Sequence, residues 1–573
     1  MRHWSCRAAV AALVLCVCGP ALAAPRYVEA PPLTAVLDKV AVKDVAAGTT
    51  QVPLITWGGD IATILGNGNQ AETAKGSVFA GEGLALKLVR EDIFSKQIEA
   101  YLSGRSPYLR GTLGMVNMAA DVLNRDPRTK PIVIYQLTWS AGGDTLVVKP
   151  GIGSAKDLKG KTIALQAYGP HVDYLTKVLA DAGLSTRDVT IRWLPDLTGS
   201  DNTPMAAFQQ GGADAAFVIT PDAMTLTSGG SVGNGAEGSV KGARILLSTK
   251  TANRIIADVY AVRSDYFQAN RKNVESFVHG LMLSEEKLRT LARAKSARGA
   301  EYKTTMAAAA KLLLDTEQAI NDAEGLYGDA EFVGYAGNVD FFANANYPRS
   351  LGALSREVQQ AFAGLGLVQG QAHLAAAGWD YNRLKQGLTA TASAETGRFD
   401  QGQVAAVVTR KQQQGTLGEG ELFSFEIYFE PNQNGFSADL YEAAFAKVVN
   451  LASTYGGALI TVEGHSDPMA YLREKKAGQQ EVVLGRIKQS AKNLSLSRAV
   501  AVRDSIIAFA HSKNISLDES QFAVIGHGIA KPKSGMCGED PCSPKTERDW
   551  RDNMRVEFRI IQVEAESTIF KPL

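Results

Sequence analysis

Apolar runs and polar punctuation alternate through the first half of the chain. Val52-Pro53-Leu54-Ile55-Thr56-Trp57 ends in Gly58-Gly59-Asp60, the pattern of a buried strand delivering a glycine loop, and 61–65 continues as a helix. Leu84, Leu86 and Leu88 alternate as a second strand, 93–102 reads as a helix, and 112–116 as a short strand ending at Asn117. The apolar stretch 131–137 runs into Thr138-Trp139-Ser140, and 145–149 gives a further strand. Strands alternating with helices at this spacing predict an α/β domain with largely parallel sheets.

The clearest unit spans 154–194. Asp157-Leu158-Lys159-Gly160-Lys161 leads into a strand at 162–165, then Gln166-Ala167-Tyr168-Gly169-Pro170, a helix over 171–182 stopped by Gly183, and a strand at 189–193. A helix at 205–210, Gly211-Gly212 and the strand Ala213-Asp214-Ala215-Ala216-Phe217-Val218-Ile219 close another such unit. Residues 274–330 are helix-rich, and the aromatic residues of 331–385 finish the first core. An Ala/Thr/Ser/Gln/Gly-rich stretch, 389–418, then reads as a flexible interdomain linker whose 404–408 patch forms a short helix or strand. Beyond it come an alternating strand at 423–429, a helix at 439–453, a strand at 458–462, a helix at 494–509, and strands at 522–525 and 555–562. That order is β-α-β-α-β-β.

Length and composition bound this picture. At 573 residues two or three domains are expected, and 45% hydrophobic with 21% charged residues is a globular balance. The net charge of +1 offers no basic surplus for a nucleic-acid partner. Arg2 and Arg7 precede the apolar run 8–17, then Gly19-Pro20 and Ala21-Leu22-Ala23, the layout of a secretory signal (1–23) cleaved after Ala23. Neither Cys16 nor Cys18 follows the small residue that lipoprotein processing needs, and no later segment approaches the length of a membrane span. The mature chain keeps only Cys537 and Cys542, which flank a turn-prone stretch and are expected to pair in an oxidising compartment; the competing reading, half of a metal site, lacks a second ligand pair nearby.

Two resemblances organise the chemistry. Asp157-Leu158-Lys159-Gly160-Lys161 followed by strand, polar loop and helix, with Phe208-Gln209-Gln210-Gly211-Gly212-Ala213-Asp214 and Ile256-Ala257-Asp258-Val259-Tyr260 further on, resembles periplasmic solute-binding proteins of the nitrate, taurine and sulfonate group of ABC importers, over about residues 50–290. It implies a two-lobed binding fold over 51–388, after an extended lead-in at 24–50. Ligand groups would lie at strand C-termini and helix N-termini. The candidates are Trp57, Gly58, Asp60, Asn117, Thr138, Ser140, Tyr168, Gly169, His171 and Asp222. Trp57 and Trp139 fit a core position as well as a ligand platform, and the loop before 171 reads equally as a plain strand–helix turn.

Near the C-terminus, Glu463-Gly464-His465-Ser466-Asp467, Leu494-Ser495-Leu496-Ser497-Arg498-Ala499 and Asn553-Met554-Arg555-Val556-Glu557 resemble, in this order, the OmpA-like peptidoglycan-binding family. The resemblance implies an α/β sandwich over 419–565. In that family an aspartate and an arginine, here Asp467 and Arg498, grip the diaminopimelate of the peptide stem, with Asn432 also lining the pocket. The logic is chemical: one carboxylate and one guanidinium can read a ligand carrying both ammonium and carboxylate. Two departures stand out. About sixteen residues rich in Lys, Glu and Gln are inserted between 471 and 488, and Ala491 and Met554 replace the family's usual residues. No P-loop, nucleophile elbow or zinc-protease helix occurs, and His171, His465 and His527 are scattered, with a structural role expected for His465. The expectation is a non-enzymatic, cofactor- and metal-free periplasmic protein that captures a small polar or anionic solute. Its implied partners are peptidoglycan and an inner-membrane ABC permease. The alternative is an envelope scaffold whose binding-protein-like domain docks a protein partner.

Overall fold

The computed structural model describes residues 24–561 apart from 237, 371, 373, 392–398, 416–420 and 429–437. The signal segment, Asn432 and the last residues of the 419–565 range lie outside the described residues.

Two five-stranded sheets and a parallel two-stranded one underlie the first part of the chain. Strands β1 (Thr50–Leu54) and β2 (Leu86–Arg90) pair in parallel, and β1 lies beside β3 (Tyr108–Thr112). After β4 (Pro131–Ser140) the chain crosses to a second sheet made of β5 (Asp144–Val148), β6 (Thr162–Gln166), β7 (Thr190–Leu194), β8 (Ala215–Ile219) and β9 (Arg244–Ser248), in the order β7-β6-β8-β5-β9. It then returns through β10 (Ala257–Arg263), β11 (Ala330–Phe332) and β12 (Ala375–Ala376) to the first sheet, whose order is β11-β4-β10-β3 with β12 on β4. Two crossovers, 141–143 and 249–256, therefore join the two lobes.

Helices α1 (Asp60–Gly66), α2 (Leu113–Leu123), α3 (His171–Asp181), α4 (Thr220–Leu226), α5 (Arg271–Arg293), α6 (Ile320–Asp329) and α7 (Leu351–Gly364) surround these sheets. The 112–116 stretch, expected as a strand, is instead the end of β3 and the first turn of α2. Thr112 ends β3, and its hydroxyl accepts from the Met115 N–H 3.1 Å away, so a β-branched residue acts as a helix cap and Asn117 becomes a helical residue. The lead-in is packed rather than merely extended. Val28 bridges to Trp193, the Tyr27 ring lies under Arg192, and Leu33 and Leu37 enter the main core.

The stretch read as a flexible linker contains helix α8 (Gln401–Gln414). Val404, Val407 and Val408, spaced for one helical face, are buried against Leu459, Ile525 and Ile561. The final domain has strands β13 (Glu421–Tyr428), β14 (Leu459–His465), β15 (Phe522–Gly528), the short hairpin β16 (Met536–Cys537) and β17 (Asp540–Pro541), and β18 (Arg555–Ile561); the main sheet runs β13-β18-β14-β15. Helices α9 (Ala438–Thr454) and α11 (Glu481–Ser512) cover one face, with α10 (Met469–Lys476) and α12 (Glu547–Asp552) at its edge. The insertion does not loop out. It forms α10 and lengthens α11, burying Tyr471 against Leu484 and Ile529, while the Tyr471 hydroxyl reaches Asp540 at 2.7 Å. Cys537 and Cys542 are joined in a disulfide across the small hairpin. Among the described residues no helix is long and apolar enough to cross a membrane.

Candidate functional site

The two crossovers collect polar groups from both lobes. Ser140, the last residue of β4, donates its hydroxyl to Asp144 at 2.6 Å and lies 2.9 Å from the Thr249 hydroxyl. Thr249 Oγ1 accepts from the backbone N–H groups of Gly142 (3.0 Å) and Asp144 (3.1 Å), stitching one crossover to the other. His171, at the start of α3, holds Asp144 through Nε2 at 2.7 Å, and its Nδ1 has no partner among the described residues. Two glycines make this approach possible. A Cβ on Gly143 would fall 2.6 Å from the Trp57 ring, and one on Gly142 would fall 2.6 Å from the Asp329 carboxylate.

Trp57 connects this region to a deeper network. Its indole N–H donates to Thr138 at 2.9 Å, and Thr138 donates to Asp258 at 3.0 Å. Asp258 shares Arg110 with Asp60 at 2.9 and 3.0 Å, all three being buried. Such a buried triad is tolerable because two carboxylates and several hydrogen bonds satisfy one guanidinium.

The surroundings of the crossovers are acidic. Burial pushes the Asp222 carboxyl up to about 6 against the pull of nearby His171. Burial and the neighbouring Asp144 push Asp329 up to about 6, with Lys250 opposing. Three carboxylates thus stand against one imidazole and one ammonium, a field that favours a cation or a hydrogen-bond donor over an anion.

The sequence-derived candidates divide. Trp57, Gly58, Thr138, Ser140, His171 and Asp222 gather around the crossovers, with Gly58 lying under the Leu326 carbonyl of α6. Asp60 is one step behind, spent on Arg110. Asn117 is buried inside α2, where it donates to Leu113 O at 2.9 Å and accepts from Gln359 of α7 at 2.7 Å. Tyr168, at φ +59°, turns its hydroxyl to Pro31 O at 2.6 Å, and Gly169 packs against Gln166, so that loop is engaged by the lead-in. Asp144, Thr249 and Asp329 were not singled out. The Gly142-Gly143-Asp144 break between two predicted strands was the available signal for the first of them.

In the C-terminal domain, glycines again set the geometry. A Cβ on Gly464 would fall 2.0 Å from Ser495 O, and one on Gly526 2.6 Å from Lys492 O, so α11 rests directly on β14 and β15. Ser495 Oγ accepts from the Gly528 N–H at 2.9 Å, and Ser466 donates to Ala491 O at 3.1 Å. Asp467 follows that contact in the loop after β14, and Arg498 follows it along the helix. Asp467 accepts from the Met469 N–H at 3.1 Å, yet Oδ1 has no hydrogen-bond partner among the described residues, and neither has Arg498 Nε. Burial raises the Asp467 pKa and lowers that of Arg498. These are opposite charges, each half-buried, held in place without an ion-pair partner among the described residues.

No curated protein matches the chain. Among solved structures, the periplasmic aliphatic sulphonate binding protein of Escherichia coli aligns with 57% of this chain and 90% of its own, at 16% identity and a TM-score of 0.40. The alkanesulfonate-binding protein of Xanthomonas axonopodis pv. citri bound to MOPS aligns with 57% of this chain and 98% of its own, at 17% identity and 0.39. The desulfurization enzyme DSZB aligns with 59% and 99%, at 16% identity and 0.37. At such values the likenesses carry no argument about ligand or reaction. Residues 75–284, from the segment before β2 into α5, match the NMT1/THI5-like family model, so the chain carries a region of that type.

Proposed function

We propose that the protein is a periplasmic solute-binding component of the ABC-importer type, non-enzymatic, held at the cell wall by a C-terminal domain that grips the diaminopimelate of peptidoglycan. The observation that carries the solute-binding reading is the convergence of Trp57, Thr138, Ser140, His171, Asp222 and Asp329, polar groups drawn from both lobes, on the two crossovers. Between the polar and the anionic solutes expected from the sequence, the acidic lining favours a polar, amine-bearing one. The tethering reading is supported by Asp467 and Arg498, which have no ion-pair partner among the described residues and are complementary to the ammonium and carboxylate of a diamino acid.

A second reading, the envelope scaffold, is favoured by one specific observation. Ser140, Asp144, Thr249 and His171 already bond to one another, as do Trp57, Thr138 and Asp258. A thermal-shift screen of the mature full chain against amines, amino acids and small anions separates the two. A ligand at a hundred times its dissociation constant adds about 2.7 kcal/mol of stability. The solute-binding reading expects an amine-dependent shift that grows as pH rises through about 6, where Asp222 and Asp329 ionise, and that is lost in Asp329→Asn. No shift across the panel would favour the scaffold.

A further inference from the structure

The C-terminal sheet has a second face that neither α9 nor α11 covers. Strand alternation places Thr461, Glu463 and His465 of β14, His527 of β15, Arg555, Glu557 and Arg559 of β18, and Ser424 and Glu426 of β13 on it. Helix α8 covers only the apolar end, at Leu459, Ile525 and Ile561. The remainder is a charged ladder lying largely within the fold. Arg559 meets Glu421 at 2.5 Å and Glu463 at 3.0 Å and also contacts Glu557; Arg555 contacts Glu557 and lies 3.5 Å from Glu426.

Two histidines, read from the sequence as scattered, meet in this ladder. Their rings stack with centroids 4.9 Å apart. His527 Nε2 lies 2.6 Å from Glu463 Oε2. His465 is 1% exposed, and neither of its ring nitrogens has a hydrogen-bond partner among the described residues; Glu557 Oε1 stands off at 3.6 Å. A fully buried imidazole left unsatisfied on both sides, beside a second imidazole and a carboxylate, is the arrangement a missing ligand would complete.

We propose that Glu463, His465 and His527 bind one divalent transition-metal ion of the zinc type, with Glu557 at the edge of the coordination sphere. Their donor atoms lie within 4.8 Å of one another. Metal–ligand bonds of about 2.0–2.2 Å at tetrahedral angles require donor separations of roughly 3.4 Å, inside the spread found here. Two imidazoles with a carboxylate select a borderline ion over calcium or magnesium, which take oxygen ligands. The neighbouring guanidinium does not bar the ion. When Glu463 turns to the metal, Arg559 keeps Glu421 and Glu557, and Arg555 keeps Glu426 and Glu557. The ion would tie β14 to β15 beside the strand end that leads to Asp467.

The test titrates the metal-stripped full chain with Zn2+ against a chromophoric chelator, and separately with Co2+, whose visible absorption reports four-coordination. One ion per chain is expected, together with a rise in thermal midpoint on saturation. His465→Ala and the milder His527→Gln should each weaken Zn2+ binding by at least about 100-fold, the upper end of what loss of a supporting group does. His511→Ala, at an exposed position, should leave it unchanged. Less than half an ion per wild-type chain, or unchanged affinity in a folded His527→Gln protein, would overturn the assignment. The wild-type stoichiometry decides the matter even if His465→Ala fails to fold.

Discussion

Glu285 lies wholly buried in α5, accepting from the Gly334 N–H at 3.1 Å, and burial raises its pKa to about 8. Asp173 in α3 is likewise raised to about 8 by burial. Both folded values lie above the ordinary ones of 4.5 and 3.8, so the folded state binds more protons than the unfolded one in between. Their contribution to stability is therefore full below about pH 4 and is lost progressively as pH rises to about 8, at a slope near 1.4 kcal/mol per pH unit for each group. Glu285→Gln should flatten part of that slope in denaturant unfolding followed from pH 5 to 8. An unchanged slope would contradict the burial argument. In the triad of Asp60, Arg110 and Asp258 burial again raises both carboxyls, while the shared guanidinium pulls them down. Asp60→Ala leaves a buried guanidinium short of one partner and should cost about 3–5 kcal/mol, read from urea midpoints.

The elements show what was legible beforehand and what was not. Alternation and glycine punctuation delivered the four strands of the last domain's main sheet and the helices α9 and α11 packed on them, but not α10, α12 or the hairpin of β16 and β17. The same cues failed at Thr112, whose β-branched side chain reads as strand while its hydroxyl caps a helix. At α8 they gave only a short helix or strand at 404–408 inside a linker, because its Ala-, Thr- and Gln-rich neighbours hide the full helix that carries three valines on one face. Site residues were harder still. Ser140 and Thr249 are 109 positions apart, and Glu463 and His527 are 64 apart, so no local spacing marks either pair. Gly464, by contrast, carries its reason in its geometry. Gly464→Ala would drive a methyl group into the Ser495 carbonyl that lies 2.0 Å from the built Cβ, prising α11 off the sheet at a cost of about 1–3 kcal/mol, or more if the helix cannot shift. Loss of the C-terminal unfolding transition to lower temperature in calorimetry would register it.

At the scale of the whole molecule, the C-terminal domain sits on the second crossover. The Gly457 N–H donates to Thr251 O at 3.2 Å, and the Arg254 N–H to Thr454 O at 3.2 Å. The Tyr455 hydroxyl reaches Asp181 of α3 at 2.7 Å, and Lys177 lies 3.3 Å from Asn450. Tyr455→Phe keeps the ring against Phe423 while deleting a bond to a charged acceptor, worth about 1.5–3 kcal/mol. It should separate the melting of the two halves and speed proteolysis between them. In the proposed function, this docked unit places a solute-binding domain at the wall through Asp467 and Arg498. Co-sedimentation of the mature chain with purified peptidoglycan sacculi tests it most directly. The wild-type chain should pellet with sacculi, and folded Asp467→Ala and Arg498→Ala chains should stay in the supernatant. A wild-type chain that fails to pellet, or a double variant that pellets as well as wild type, would contradict it.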